Sequence, residues 1–288
     1  MKNTTDLLEV LHLKELNSHT FSGISKTMGS PNVFGGQVLA QALNAAYRTM
    51  MHQRILHSMH SYFLEAGDLN DPITYDVAVV RDGGSFSTRR VTAYQNTKVL
   101  FILAASFQKP EVGYNHQMDA VKHIKQPEDV LSWDDVLQQF GAFLPRKTKA
   151  FLEIPRPVIF KPVEIPNPFE PEDMKPCTHV WFKLKGKTNG LDLKTKQQLL
   201  TYISDYNVLS VALNRHGSKA HWGNTVTASL DHSMWYFRDF DFDDWMLYIL
   251  DSPSASNARG FARGNIYTRK GILVASVAQE GLMRPMQK

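Results

Sequence analysis

Asp205, Ser229 and Gln279 bring a carboxylate, a hydroxyl and a carboxamide to the last third of the chain, a set of groups able to hold one water and take a proton from it. Asp205 lies in the amphipathic segment TYISDYNVLSVAL, no more than four residues from Tyr202, Val208 and Leu209 on its apolar side. A carboxyl partly buried at such a place has a raised pKa and accepts protons better near neutral pH. From helix spacing alone, a solvated surface aspartate is the ordinary reading. Gln279 closes the apolar run ILVASVAQ, where a neutral amide can donate and accept at once. With the Ser229 hydroxyl, these groups would orient a water for attack on an already reactive acyl carbonyl. No covalent enzyme intermediate is needed, and helix N-terminal amides would polarise the carbonyl. Spacing by itself leaves open whether the three side chains meet.

The other reactive groups read as structural. Cys177 is the only cysteine, which rules out an internal disulfide and thiolate metal clusters; its Pro-rich surroundings suit a small apolar filler better than an activated thiol. His232 and Ser233 invite a base-and-nucleophile reading, but adjacent strand residues point to opposite faces. On one continuous strand, Ser229, Asp231 and Ser233 would instead share a face. His57 and His60, three apart, are placed on opposite faces of a strand rather than together at a metal. Gly186-Lys187-Thr188 resembles the end of a phosphate-binding loop, yet the position five before Gly186 is Trp181 and not glycine. No G-x-S-x-G, H-E-x-x-H or strand-borne G-x-G-x-x-G occurs, so neither a metal nor any other cofactor is expected.

The elements that must position these groups are written twice. HSMHSYFLEAGD and LDHSMWYFRDFD share His-Ser followed by aromatics, and setting His60-Ser61 on His232-Ser233 gives an offset of 172 residues. ILAASFQ then falls on ILVASVAQ, with Gln108 matched to Gln279 at an offset of 171. GGSFSTRRV and PSASNARGFARG lie between these landmarks, each followed by a hairpin turn, QNTKV and YTRKG. Upstream of each copy is a helix candidate, GGQVLAQALNAAYRTM and KTKQQLLTYISDYNVLSVAL. Small residues dominate one face of the first, allowing close packing around it. Segments rich in β-branched and aromatic residues, such as PITYDVAVVRD and KVLFILAASFQ, are strand candidates. One helix with an antiparallel sheet leaves apolar surface and edges uncovered, so two copies gain by pairing.

The chain thus reads as an α+β protein with a first repeat over residues 1–110, a Pro-rich linker over 111–175 and a second repeat over 176–288. Within the linker, PEDVLSWDDVLQQFGAFLP reads as one helix between Pro127 and Pro145, docked on a domain. CTHVWFKLKG belongs to the second repeat as an alternating strand. The first helix, GGQVLAQALNAA, carries no carboxylate, which predicts a single site per chain, in the second repeat.

At 288 residues and 43% hydrophobic content the chain can bury one large core or two ordinary ones. No run approaches the roughly 20 apolar residues that span a bilayer, so no integral membrane association is expected. MKNTTDLLEVLHLKEL lacks the apolar core and cleavage site of a secretory signal, and RPMQK lacks a Ser-Lys-Leu type address. Cytoplasm is the expected location. Thirty-two basic and 28 acidic residues give a net charge of +4 without a Lys/Arg block, a pattern that does not suggest nucleic acid as a partner.

Taken together, VFGGQV, HSYFL, GGSFSTRR, ASFQ, LDHSMW, SASNARGF and VASVAQEG closely resemble the acyl-CoA thioesterase II family over nearly the whole chain. The resemblance implies a tandem, or double, hot-dog fold, each repeat a curved antiparallel sheet wrapped around a central helix. It also implies hydrolysis of fatty acyl-CoA to free fatty acid and coenzyme A, within lipid metabolism, by a water held between an Asp, a Thr or Ser, and a Gln. Residue by residue these roles fall on Asp205, Ser229 and Gln279, with Ser229 departing from the commoner threonine. Acyl-CoA is then the substrate partner and coenzyme A a product, its phosphates met by Lys or Arg side chains that the sequence does not single out. A homo-oligomer, dimer or tetramer, is the further expectation. Two alternatives stay open: a hot-dog enoyl-CoA hydratase pairing an Asp with His232, and a non-catalytic acyl-CoA binder.

Overall fold

Burial alternates residue by residue along the extended segments, as it must where one face of a sheet packs and the other meets solvent. The computed structural model describes residues 1–50, 53–120, 123–165, 167, 172–220 and 224–286; part of the Pro-rich linker and the last two residues of the RPMQK tail lie outside the described residues. The first repeat comprises α1 (Thr4–Leu11), β1 (Lys14–Asn17), β2 (Thr20–Gly23), α2 (Gly35–Arg48), β3 (Ile55–Phe63), β4 (Ile73–Asp82), β5 (Phe86–Gln95) and β6 (Lys98–Gln108). Then come α3 (Trp133–Phe140), α4 (Arg146–Leu152) and β7 (Val158–Pro162). The second repeat holds β8 (Cys177–Leu184), α5 (Leu193–Ser204), α6 (Ser210–Leu213), β9 (Thr225–Ser229), β10 (Asp231–Tyr236), β11 (Met246–Ser256), β12 (Arg259–Thr268) and β13 (Leu273–Pro285).

Among the described residues all thirteen strands join one antiparallel sheet, in the order β1-β2-β4-β5-β6-β3-β10-β13-β12-β11-β8-β7, with β9 added on β13. The repeats meet at its centre, where β3 pairs with β10 from Asp231 opposite Tyr62 to Trp235 opposite Ser58. This pairing removes the edge that each half would otherwise expose. One buried cluster runs through both halves, joining Leu39 and Leu43 of α2 to Tyr202 and Ile203 of α5 and to Met59 and Met234 of the central strands. Two helices wrapped by a shared sheet is the tandem hot-dog arrangement expected from the sequence. Among the described residues no helix is long and apolar enough to cross a membrane.

α2 and α5 lie side by side and antiparallel. Gly36, at the start of α2, sits so close to the end of α5 that an added Cβ would stand 2.4 Å from the Tyr202 carbonyl oxygen. At the other end, Asn44 donates to Gln198 over 2.8 Å and Tyr47 donates to Gln197. Gln197 in turn donates to the Leu56 carbonyl over 2.9 Å. The Gln197 amide is satisfied at both ends across the repeat boundary, as buried polar groups generally are, while Asn44 Oδ1 is buried with no hydrogen-bond partner among the described residues.

Two predicted helices are shorter than their patterns. α5 stops at Ser204, leaving Asp205 as its C-cap rather than a mid-helix residue; Asn207 adopts a left-handed φ of 64°, which ends a right-handed helix, and α6 restarts separately. The segment after Pro127 is a short 3-10 turn followed by α3, which begins at a Ser132–Asp135 capping box, and α4 starts afresh beyond Pro145. β7, from the stretch between the repeats, pairs with β8.

Candidate active site

The C-cap position places Asp205 where the end of α5 meets the beginning of α2. Its Oδ1 is buried and accepts no hydrogen bond among the described residues. Burial pushes the Asp205 pKa up from 3.8 to about 7, while the Gly36 backbone N–H and the Gln279 amide, both facing the carboxyl, pull it partly back down. The α2 N-terminus supplies that N–H, so its unpaired amides and positive dipole end face the carboxylate. Gly35 is equally close: a Cβ there would lie 2.8 Å from Asp205 Oδ2 and 3.1 Å from the Phe63 ring. The first repeat thus contributes its helix start to the carboxyl of the second.

Gln279, 1% exposed, points inward from β13. Its Nε2 donates to Ser229 Oγ over 2.8 Å. Ser229 ends β9 opposite Gly281, half-buried, which leaves its own hydroxyl proton available to a third partner. The Gln279 amide therefore links Ser229 to the carboxyl of Asp205. All three residues singled out from the sequence meet. The Oε1 end of the amide lies 2.5 Å from His232 Nδ1, and His232 Nε2 lies 2.9 Å from Ser204 Oγ. His232 is fully buried and its pKa is lowered to about 4, chiefly by desolvation, so the ring is neutral.

An aromatic wall flanks the carboxyl. Phe34, just before α2, packs edge-on against Tyr202 with ring centroids 5.2 Å apart and tilts over Tyr206 at 4.6 Å. Phe160 of β7 closes on Tyr206 at 5.0 Å. The Tyr202 hydroxyl donates to Met28 Sδ over 3.3 Å. An apolar surface beside a buried carboxyl keeps water activity low and the carboxyl pKa high.

Strand parity corrects several sequence readings. Gln108 matches Gln279 in the alignment, but it lies on the outer side of β6 and donates to exposed Glu111, whereas Gln279 faces the helices. Without a gap, Ala105-Ser106-Phe107 superposes on Ala275-Ser276-Val277, which puts Gln108 on Ala278; Gln279 is one residue further. The same parity separates the two His-Ser pairs: His60 is exposed and bonded to Ser233 Oγ at 3.1 Å, while His232 is buried. Ser229 and Ser233 do not share a face, because the chain breaks between β9 and β10 at Leu230; Ser229 meets Gln279 and Ser233 meets His60. His57 and His60 lie on the same outer side, since a bulge between Leu56 and Ser58 turns His57 toward Ser106 and Phe86. Among the described residues no cluster with metal-binding composition occurs. Burial and the neighbouring carboxylates Glu164 and Asp251 raise the Cys177 pKa, the reverse of what an activated thiol needs.

The sequence reading missed Gly35, Gly36, Phe34 and Ser204 as parts of the site. A Gly-Gly pair at a helix start is the signal that could have found the first two, since it marks a close backbone approach. Nothing local distinguishes Ser204. The hydratase alternative pairs His232 with Asp205, but both ring nitrogens of His232 are committed to Gln279 and Ser204.

Comparison with known proteins matches nearly the whole chain to acyl-CoA thioesterases. A family model described as acyl-CoA thioesterase matches residues 148–282, and one described as acyl-CoA thioesterase N-terminal domain matches residues 24–108. The chain is 38% identical to acyl-CoA thioesterase 2 of Haemophilus influenzae over 97% of both chains. It is 34% identical to human acyl-coenzyme A thioesterase 8, over 96% of this chain and 88% of that one. A crystal structure of an acyl-CoA thioesterase II from Mycobacterium marinum superposes with a TM-score of 0.77 at 33% identity, covering 98% of each chain.

Proposed function

The chain belongs to the acyl-CoA thioesterase family and hydrolyses acyl-CoA thioesters, and we propose that it does so through one water held by Asp205, Ser229 and Gln279. The observation that carries this reading is the buried Asp205 carboxyl, whose pKa of about 7 suits a general base at neutral pH. Oδ1 takes a proton from the water as its oxygen attacks the thioester carbonyl carbon. The Ser229 hydroxyl and the Gln279 amide hold the water in line. The carbonyl π electrons move to oxygen, and the amides at the start of α2 stabilise the negative charge that develops there. Collapse re-forms the carbonyl and breaks the carbon–sulfur bond; the proton held by Asp205 passes to the leaving sulfur. The products are a free acid and coenzyme A.

In this reading the division of the chain has a mechanistic meaning: the first repeat (1–110) brings the helix start, the second (176–288) brings the base and the water-holding groups, and 111–175 connects them. The acyl chain is assigned to the half-buried Phe34 and Tyr206 beside the carboxyl, with the buried rings of Tyr202 and Phe160 packed behind them. A homo-oligomer, dimer or tetramer, belongs to the same reading; apolar side chains left exposed on the sheet, among them Tyr62 at 57% and Val80 at 59%, favour it. A free, unpaired Cys177 suits a cytoplasmic location. The deciding experiment is thiol release from a series of saturated acyl-CoA esters by the parent and by Asp205→Asn. The variant should bind substrate and release almost no thiol; equal release would remove Asp205 from its role.

A further inference from the structure

We propose that His232 is a positioning residue that fixes which end of the Gln279 amide faces the reacting water, an inference that rests on the placement of that water by Asp205, Ser229 and Gln279. A carboxamide has nearly the same shape in its two orientations, and only its hydrogen-bond partners choose between them. The choice matters here. With Nε2 on this side, the amide donates to Ser229 and turns its N–H edge toward the Asp205 carboxyl; reversed, Oε1 would face the carboxylate and the serine oxygen with lone pairs alone.

The His232 ring holds the amide in the first orientation. It is fully buried and neutral, so it carries one N–H. Oε1 of Gln279 can only accept, which puts that proton on Nδ1, 2.5 Å away. Nε2 is then an acceptor and takes the Ser204 hydroxyl proton over 2.9 Å. That hydroxyl also lies 2.8 Å from the Thr201 carbonyl, but a ring with Nδ1 protonated needs the proton on its own side. The result is a chain of donors running one way: Ser204 to His232, His232 to Gln279, Gln279 to Ser229. Its last member has its proton left for the water. Ser204 is the residue before Asp205, so both ends of the chain return to the same site.

Steady-state thiol release separates this role from simple core filling. His232→Leu keeps most of the bulk and removes the donor; kcat should fall about 10- to 100-fold with KM little changed, the cost of a misplaced water. His232→Asn puts an amide nitrogen at the place of Nδ1 and should recover most of that loss, whereas His232→Gln, with its nitrogen at the place of Nε2, should not. A filling role predicts the reverse, with Leu the mildest change and Asn the worst. The proposal is overturned if His232→Leu keeps kcat within about threefold, or if Asn does no better than Leu. Should His232→Leu fail to fold, Asn against Gln decides, and Ser204→Ala, which releases the tautomer, must lower kcat; parental kcat in that variant overturns the proposal. Asp205→Asn and Gln279→Ala run in the same assay: if they keep full turnover the hydrolytic site itself is wrong, and if only the His232 variants do, this inference alone falls.

Discussion

Replacing Asp205 by asparagine should cost the protein its activity and make it more stable, with a pH dependence that follows from burial. The Asp205 pKa is raised from 3.8 to about 7 in the folded chain. A group whose folded pKa lies above its unfolded value favours the folded state while it is protonated. As pH rises from about 4, the unfolded chain releases the proton first, and stability is lost until pH passes about 7, beyond which the penalty is constant. The interval corresponds to about 4 kcal/mol at about 1.4 kcal/mol per pKa unit. Asparagine is nearly isosteric, keeps an oxygen for the Gly36 N–H and never ionises, so it escapes this term. Urea unfolding of parent and variant across pH 4 to 8 reads the effect directly: the curves should coincide near pH 4 and diverge in favour of the variant by up to about 4 kcal/mol near pH 8. In parallel, kcat for thiol release should fall about 10²- to 10⁴-fold, the range for loss of a general base, and the parent's acid limb of kcat/KM should bend near pH 7. A stability difference independent of pH would show that the carboxyl is not desolvated as described, and an undiminished kcat would show that it is not the base.

Gly35→Ala should lower kcat at least tenfold with little loss of stability, because the new Cβ stands 2.8 Å from Asp205 Oδ2; Gly36→Ala, 2.4 Å from the Tyr202 carbonyl, should instead force the helices apart and cost about 1–3 kcal/mol on thermal or urea unfolding. Gln279→Ala should lose most thiol release while Gln108→Ala keeps it within about twofold, since Gln108 lies on the outer side of the sheet; an equal loss in both would refute the parity argument. Ser229→Ala should reduce kcat about 10- to 100-fold, and Ser229→Thr should match or exceed the parent, because the added methyl restricts the hydroxyl's rotamers.

The candidate residue types were legible before any fold was known, as a carboxyl near Tyr202, Val208 and Leu209 and an amide closing an apolar strand, but only the resemblance to the thioesterase family assigned them to one water. The repeat was legible too, through the order of its motifs. Register was not. An offset of 171 or 172 residues looks equally good in letters, yet a single step moves a strand side chain to the opposite face, and the structure puts Gln108 and His60 outside where Gln279 and His232 are inside. A bulge at His57 and a break at Leu230 shift parity again, and neither leaves a mark that periodicity can read.

By itself the sequence determined that enough apolar residues were present for a core, the duplicated helix-and-sheet unit, and the groups available for hydrolysis, since these follow from side-chain type and local period. Only the tertiary structure decided that α5 ends at Asp205 and that the start of α2, from the other repeat, closes against it. That contact joins residues about 170 positions apart. It exists because Gly36 lets the helix backbones approach and Gly35 leaves room for the carboxyl, and it is the resulting loss of solvent that moves the Asp205 pKa to about 7.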